Sequence, residues 1–303
     1  MKDFNLLIIL GATASGKTKL AVQVADALNG EIISADSRQI FKQMDIGTGK
    51  DLGEYSFNGK NIPYHLINIL SPGERYHVDA FKNDFYTAYE DIIRRGKIPI
   101  LCGGTGMYIH SILQNQTFTA VPVNELLRND LELQGTDFLL ATLNQYEQIG
   151  YVDLKSRKRI IRAIEVAEFL KSNDIPITER PEIKPVIFGL KNEVNITREK
   201  ILLRLENRLA NGMIEEVKIL LNQGIAKEML IFYGLEYKFI VSYLEGDIDY
   251  EELQLRLGIA ICQYAKRQNT FFRKMEKDSV LINWLNATEN TNYLKQQILD
   301  KVL

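Results

Sequence analysis

One segment near the start of the chain has the glycine spacing of a phosphate-binding loop. The pattern G-x-x-x-x-G-K-[ST] is satisfied by Gly11-Ala12-Thr13-Ala14-Ser15-Gly16-Lys17-Thr18. Its glycines let backbone N–H groups converge on an anion, and the N-terminus of a following helix adds partial positive charge. Lys17 supplies a point charge, and the Thr18 hydroxyl can ligate Mg²⁺. The segment therefore predicts a site for a di- or triphosphate.

A second candidate for chemistry is the carboxylate of Asp36, in the stretch Ser34-Ala-Asp-Ser-Arg-Gln39. An aspartate at the carboxyl end of a strand in an open α/β sheet faces the ligand crevice. Three roles are open for it: a general base for a substrate proton, a metal ligand, or the N-cap of the next helix. Kinases of small molecules also place an acid there, so these two motifs alone leave phosphoryl transfer open.

Alternating strands and helices position these groups in the first third of the chain. Apolar runs predict strands at Asn5–Leu10, Glu31–Ser34 and Ile98–Cys102, and helical periodicity predicts helices over Lys17–Leu28 and Asp79–Arg95. Strands separated by helices of this length indicate βαβ units and a parallel sheet.

The rest of the chain is mainly helical. From about Gln114 to Glu182 the pattern is helical, and Val186–Leu190 predicts a return to the sheet. Further helices are predicted over Arg198–Gln223, Tyr237–Leu244, and Tyr250 to about Lys277. We therefore predict an α/β fold, a P-loop parallel sheet flanked by helices, with a helical insert domain and a helical C-terminal part. The predicted boundaries are 1–113 for the first part of the core, 114–183 for the insert, and 184–303 for the remainder.

Composition excludes several classes of protein. The chain has 303 residues, 37 Lys and Arg against 39 Asp and Glu, and is 46% hydrophobic, which excludes collagen-like, low-complexity and disulfide-stapled chains. It has neither a membrane-spanning apolar run nor a secretory signal, so we expect a cytoplasmic protein without a membrane partner. Two basic tracts, Lys155–Arg162 and Gln263–Lys274, contain no acid and are candidates for contact with a polyanion or are solvated helix faces.

Six segments, in order along nearly the whole chain, resemble a known family. They are TASGKT, ISADSRQIFKQMDIGTGK (Ile33–Lys50), YHLINIL (Tyr64–Leu70), GKIPILCGGTGMYI (Gly96–Ile109), RKRIIRAIEV (Arg157–Val166) and QYAKRQNTFFRK. Together they resemble the tRNA dimethylallyltransferases, also called tRNA isopentenyltransferases. The resemblance implies transfer of the dimethylallyl group from dimethylallyl diphosphate to N6 of the adenosine 3′ of the anticodon in tRNA, with release of diphosphate.

The resemblance also implies roles for individual residues. Residues 11–18 would cradle the diphosphate leaving group, with Mg²⁺ as cofactor at Thr18. Asp36 would accept the N6 proton, and Thr105 would lie near the diphosphate and the attacking base. Arg204 and Arg208 lie at i and i+4 of one predicted helix, and either a diphosphate clamp or a solvated helix face suits them. Of the two, we favour Arg208 as the clamp.

The expected partner is the anticodon stem-loop of tRNA, whose target base must be extruded from its stack before reaction. The contacts that the resemblance implies are made by Asp36, Ser37, Arg38, Gln39, Lys158, Arg159, Ile160, Ile161 and Arg162. The aromatic residues Tyr264, Phe271 and Phe272 have helical spacing, which predicts core packing rather than base stacking. We expect the chain to act as a monomer.

Three other activities compete with this interpretation. An adenylate isopentenyltransferase acting on free nucleotide needs no tRNA-gripping insert, so the stretch Gln114–Glu182 argues against it. A small-molecule P-loop kinase predicts an arginine-rich lid, which the sequence does not offer. A nucleic-acid-binding module without catalysis would not explain the presence of Asp36 and Thr105 beside an intact phosphate loop.

Overall fold

The computed structural model describes residues 4–114, 116–146, 152–175 and 179–303. The chain forms two compact units, one from Met1–Gln114 with Glu182–Leu303 and the other from Asn115–Pro181. The larger unit holds a parallel sheet flanked by helices, which confirms the predicted α/β class. No helix within the described ranges has the length and apolar character that a membrane crossing requires.

The described residues form eight strands. They are β1 Leu6–Gly11, β2 Gly30–Ser34, β3 Ser56–Phe57, β4 Lys60–Asn61, β5 Tyr64–His65, β6 Ile98–Gly103, β7 Pro185–Lys191 and β8 Asn283–Asn286. Strands β3 and β4 make a small antiparallel hairpin. The other six form one parallel sheet in the order β5-β2-β6-β1-β7-β8. Strand β1 is central, and its Ile8 lies opposite Leu101 on one side and Ile187 on the other.

The described residues also form twelve α-helices. Those of the larger unit are α1 Lys17–Leu28, α2 Val78–Arg94, α3 Gly106–Leu113, α7 Val194–Ala210, α8 Met213–Asn222, α9 Lys227–Tyr233, α10 Leu235–Leu244, α11 Tyr250–Lys277 and α12 Thr291–Val302. Those of the smaller unit are α4 Glu125–Glu132, α5 Thr136–Leu143 and α6 Arg157–Leu170. Short 3₁₀ helices occupy Leu52–Tyr55 and Thr117–Ala120.

The sheet is buried on both faces, which is why its central strands are continuous apolar runs. Leu6, Ile8 and Leu10 of β1 pack into one core with residues of α2, α3, α7, α8, α10 and α11. Leu7 and Ile9 point the other way and pack with residues of α1 and α12. Alternate side chains of a strand point to opposite faces, so one strand supports both layers.

The structure adds several short elements that were not predicted, among them the hairpin β3–β4 and the helices α3, α9 and α12, and it divides one predicted helix. The single helix predicted over Arg198–Gln223 is two helices, α7 and α8, separated at Asn211 and Gly212. Gly212 has φ +95°, a left-handed conformation that glycine adopts readily and that ends a helix. The edge strands β5 and β8 were not predicted, because two and four residues are too short for a clear alternation of apolar and polar side chains.

Candidate active site

Three adjacent strands deliver the candidate groups to one edge of the sheet. The phosphate loop follows β1, Asp36 follows β2, and Thr105 follows β6, which lies between them. The carboxyl ends of parallel strands meet at the same edge, where open α/β sheets bind ligands. The fold therefore brings together residues as far apart in the sequence as Gly11 and Thr105.

The phosphate loop is shaped to receive an anion. Gly16 has φ +81° and immediately precedes α1, so the N-terminus of that helix faces the loop. The Ser15 hydroxyl is buried and makes no hydrogen bond to the described residues. Burial lowers the pKa of the Lys17 ammonium, and the nearby Asp36 partly offsets that effect. A partly buried cation in the same loop as an unpartnered hydroxyl is an arrangement that an anionic ligand would complete.

Asp36 and Thr105 are joined through the loop that follows β2. Asp36 Oδ1 accepts the N–H of Arg38 at 3.0 Å. Thr105 Oγ1 accepts the N–H of Ser37 at 3.1 Å, and Thr105 N–H donates to the carbonyl of Ala35 at 3.1 Å. These bonds hold the Asp36 backbone on both sides, so its carboxylate has a defined position.

Arg38 lies in a partly buried ion pair. It donates to Glu236 at 2.8 Å, and its guanidinium lies 4.6 Å from the ring centroid of Tyr264. Burial opposes the charge on Arg38, but Glu236, together with Tyr264, Asp36 and Tyr237, outweighs that effect and raises the pKa of the guanidinium above its usual value. Arg38 is therefore a fixed cation in the cavity wall, held by α10 and α11.

Two arginines of α7 meet the loop that contains Gly49 and Asp51. Arg204 donates to the Asp51 carboxylate and, at 3.2 Å, to the Gly49 carbonyl. Nη2 of Arg208 is buried and makes no hydrogen bond within the described residues. Burial and the neighbouring Arg204 lower the pKa of Arg208 to about 10, so it is charged at neutral pH. Gly49 has φ +63°, and a Cβ there would overlap the Arg208 guanidinium.

Two buried side chains, Glu216 and Lys50, bond to the segment that leads into the loop containing Gly49 and Asp51. The Glu216 carboxylate accepts the N–H groups of residues 45–47 at 2.7, 2.7 and 3.0 Å, and the Tyr237 hydroxyl at 2.8 Å. Lys50 is almost fully buried and donates to Asp45 at 2.6 Å. Burial lowers the pKa of Lys50, an effect that Asp45 partly offsets. The loop that contacts both arginines is thus a rigid part of the wall.

The phosphate loop, Asp36, Arg38 and the two arginines of α7 line one cavity of about 270 Å³. Its wall includes Thr13–Thr18, Asp36, Arg38, Gln39, Thr48, Gly49, Asp51, Glu54, Lys200, Arg204, Arg208, Glu236, Ile261, Tyr264 and Gln268. Cations surround the phosphate loop, and the Asp36 carboxylate shares the same space. The arrangement can bind a diphosphate and accept a proton within the same cavity.

The wall also offers oxygen donors of the type that Mg²⁺ prefers. The Thr18 hydroxyl and the Glu54 carboxylate line the cavity, and burial, with a contribution from Asp51, raises the pKa of Glu54. No group of three metal-ligating side chains occurs in the described part of the chain. Magnesium commonly binds through one or two protein oxygens together with substrate phosphates, so these residues fit that ion.

Comparison with known proteins gives the family. The sequence profile of IPP transferases matches residues 39–275, and that of isopentenyl transferases matches residues 4–65. A tRNA dimethylallyltransferase 1 of Parabacteroides distasonis is 48% identical over 95% of this chain and 94% of its own length. The chain belongs to the IPP transferase family. A tRNA dimethylallyltransferase 2 of Porphyromonas gingivalis is 49% identical over 93% of this IPP transferase and 94% of its own length.

Solved structures agree with the assignment to the IPP transferases. The crystal structure of the tRNA isopentenylpyrophosphate transferase from Bacillus halodurans superposes with a TM-score of 0.72 and 30% identity, covering 98% of this chain and 95% of that one. A eukaryotic dimethylallyltransferase acting on tRNA superposes with a TM-score of 0.75 at 24% identity, covering 93% of this chain and 73% of that one. The latter shows the shared fold. The resemblance found in the sequence is thereby confirmed.

The structure of this IPP transferase places most of the predicted diphosphate residues together. Thr13 to Thr18, Arg204 and Arg208 line the cavity, whereas Gly11 and Ala12 are buried and do not line it. Thr105 also lies outside the wall, which differs from the predicted position beside the diphosphate. Its hydroxyl is bonded to the Ser37 N–H because the loops after β2 and β6 meet there. Thr105 therefore positions the loop that carries Asp36.

The predicted tRNA-binding residues of the smaller unit of the IPP transferase separate into exposed and buried positions. Lys158 and Arg159 are exposed. Ile160 and Ile161 are 0% and 4% exposed, and their side chains pack in the core of that unit, so the RNA contact predicted at these two positions stays a prediction. The Arg162 guanidinium donates to backbone carbonyls of residues 118 and 121 and pairs with Glu165. An RNA contact from this helix stays a prediction for Lys158 and Arg159.

Several residues in the wall of the IPP transferase site were not found from the sequence. Asp51, Glu54 and Glu236 lie outside any recognisable pattern, and only the fold brings them to the cavity. Gln268 lies within the basic tract of α11. The sequence pattern of that tract indicated a role for its cations and aromatic residues but none for the glutamine. Tyr264 lines the cavity, so the core position predicted for it is wrong.

Proposed function

We propose that this IPP transferase moves the dimethylallyl group of dimethylallyl diphosphate to N6 of the adenosine 3′ of the anticodon in tRNA, releasing diphosphate. One feature carries the proposal: an anion-binding loop and the Asp36 carboxylate face the same cavity of about 270 Å³. Transfer of a prenyl group needs both, a cradle for the leaving diphosphate and an acceptor for the amine proton.

The phosphate loop supplies groups that would stabilise the leaving diphosphate. As the allylic C–O bond breaks, its electron pair leaves with the diphosphate, and negative charge grows on the oxygens. The N–H groups of the loop, Lys17, and Nη2 of Arg208 are fixed donors for that charge. With Thr18 and Glu54 as oxygen donors, bound Mg²⁺ would neutralise part of it.

Asp36 is placed to accept the proton of the attacking amine in the proposed reaction. The lone pair of N6 forms the new bond to the allylic carbon, and the N6 proton passes to the Asp36 carboxylate. Oδ1 already accepts the Arg38 N–H at 3.0 Å, which presents Oδ2 to the incoming amine. A carboxylate bonded to this weakly basic nitrogen also orients it toward the allylic carbon.

We further propose that the smaller unit contacts the tRNA phosphates through Lys158 and Arg159. Both are exposed, and Arg159 pairs at 2.6 Å with Asp153, a surface pair that phosphate can replace at small cost. The anticodon base would be extruded to reach the cavity, and the chain would act as a monomer. Light scattering of the purified protein tests the last statement.

Isotope transfer tests the reaction. The protein is incubated with labelled dimethylallyl diphosphate and Mg²⁺, with either unmodified tRNA or AMP as acceptor, followed by nucleoside analysis. We expect label in N6-prenyladenosine from tRNA and none in AMP, and loss of transfer in EDTA that added Mg²⁺ restores. Label in AMP alone would assign the chain to the free-nucleotide enzymes, and transfer to neither acceptor would overturn the proposal.

A further inference from the structure

One side chain of α11 bonds simultaneously to the phosphate loop and to the loop after β6. Gln268 Oε1 accepts the N–H of Thr13 at 2.9 Å. Its Nε2 donates to the carbonyl of Gly104 at 2.9 Å. Gln268 is 7% exposed, so both bonds lie away from solvent and are costly to lose.

The partners fix the orientation of this amide. Thr13 N–H can only donate and the Gly104 carbonyl can only accept, so a flipped amide would leave both partners unpaired. A side chain at this position must therefore carry one acceptor and one donor. Glutamine does so without charge, whereas glutamate offers only acceptors.

The two loops that Gln268 contacts hold groups with different roles in the proposed reaction. Thr13 belongs to the diphosphate cradle. Gly104 directly precedes Thr105, whose hydroxyl holds the Ser37 N–H at 3.1 Å next to Asp36. The loops are also in close contact, since a Cβ on Gly104 would lie 2.4 Å from Gln268 Nε2 and 3.1 Å from the Gly11 carbonyl.

We propose that Gln268 is a positioning residue that sets the separation between the diphosphate cradle and the Asp36 carboxylate. This inference rests on the proposed transfer reaction. The allylic carbon must reach N6 while its oxygen lies in the cradle, and displacements of about 1 Å in such geometry cost about 100-fold in rate. Gln268 acts through the two loops and contacts neither bond that changes.

The test is single-turnover prenylation of tRNA at saturating dimethylallyl diphosphate. Gln268→Met keeps the length of the side chain and removes both bonds. Gln268→Glu keeps the acceptor for Thr13 but places a carboxylate oxygen against the Gly104 carbonyl and a negative charge beside the diphosphate. We expect both variants to lower the rate about 10- to 100-fold, and Gln268→Glu also to raise KM for dimethylallyl diphosphate. Gln23→Met, at another buried glutamine, is the matched control and should transfer at the wild-type rate.

A double-mutant cycle separates positioning from general stabilisation. If Gln268 places Asp36 relative to the leaving group, Gln268→Met should lower the rate much less in an Asp36→Asn background than in the wild type. A wild-type turnover rate in both Gln268 variants, or full additivity with Asp36→Asn, would overturn the inference. Wild-type protein that transfers no prenyl group would instead refute the proposed function.

Gly104→Ala gives a second approach that leaves Gln268 in place. The added methyl group would push Gln268 Nε2 away, so we expect slower transfer in the wild-type background and little further loss in a Gln268→Ala background. An equal loss of transfer rate in the two backgrounds would contradict the proposal that Gln268 links the two loops.

Discussion

The Asp51 carboxylate lies 3.7 Å from Nη2 of Arg208 and is bonded to Arg204. An internal carboxylate is thus bonded to one of the two arginines and lies near the other without a hydrogen bond to its Nη2. If diphosphate binds these arginines as proposed, its oxygens would replace Asp51 at one or both of them. The proposed site therefore predicts that the affinity for diphosphate depends on a side chain that need not contact the ligand.

Asp51→Asn should strengthen diphosphate binding. The substitution removes a competing negative charge from a partly exposed pair, and such pairs contribute up to about 1 kcal/mol, or about fivefold in affinity. We expect the Kd for inorganic pyrophosphate, measured by calorimetry at saturating Mg²⁺, to fall by about that factor. Glu252→Gln, which breaks the surface pair with Arg256, is the control. Weaker binding in Asp51→Asn would mean that Asp51 organises the arginines instead.

Asp36→Asn should separate catalysis from binding. The amide oxygen of asparagine can still accept the Arg38 N–H, so the loop keeps its shape, but the side chain no longer takes a proton. General-base catalysis typically contributes about 10²- to 10⁴-fold, and we expect single-turnover prenylation to fall by that range. The Kd for pyrophosphate should change little. Transfer at the wild-type rate would remove Asp36 as the base.

Glu216→Gln should loosen the loop that meets the two arginines. One carboxylate accepts three consecutive N–H groups, and the NH₂ group of glutamine cannot accept any of them. Unpaired buried donors cost about 1–3 kcal/mol each, so we expect a lower free energy of unfolding in urea and a higher KM for dimethylallyl diphosphate. The adjacent Glu215→Gln loses only a surface contact with Lys218 and should match the wild type in both measurements.

Lys158→Ala and Arg162→Ala should differ although both remove a cation from α6. Lys158 is exposed, so its loss should reduce the salt dependence of tRNA binding by about one unit of slope and leave stability unchanged. Arg162 pairs with the buried Glu165 and donates to three backbone carbonyls. We expect Arg162→Ala to lower the melting temperature, monitored by circular dichroism. Equal salt slopes for Lys158→Ala and wild type would exclude a phosphate contact there.

His110 should make the protein sensitive to mild acid. It is 1% exposed, and burial, reinforced by Lys274 and only partly offset by Asp278, lowers the pKa of its imidazole. Between that lowered pKa and the usual value near 6.5, the unfolded chain binds a proton that the folded protein does not. The free energy of unfolding should therefore fall as pH decreases below about 6.5. His110→Phe should flatten this part of the profile in urea titrations at pH 5.5 and 7.5, and an unchanged slope would exclude His110 as the source.

Local patterns in the sequence were sufficient to predict the four central strands of the sheet and the placement of the phosphate loop and Asp36 at one edge of it. The phosphate loop is contiguous, and its meaning depends on the strand before it and the helix after it, both of which are apolar runs with clear periods. Asp36 follows from the same logic, because an acid after a buried parallel strand lies at the ligand-binding edge. Functional side chains that lie within a few positions of each other in the sequence produce a local pattern that can be recognised.

Long-range contacts were decided only by the tertiary structure. The bond between Gln268 and Thr13 spans 255 positions, and that between Arg38 and Glu236 spans 198; no local period records either. The fold also gave different contacts to similar residues, since Lys158 lies exposed on α6 while Arg162 on the same helix is bonded inside the smaller unit. A sequence states which groups are available, but burial and the partner that each group meets depend on how distant segments pack.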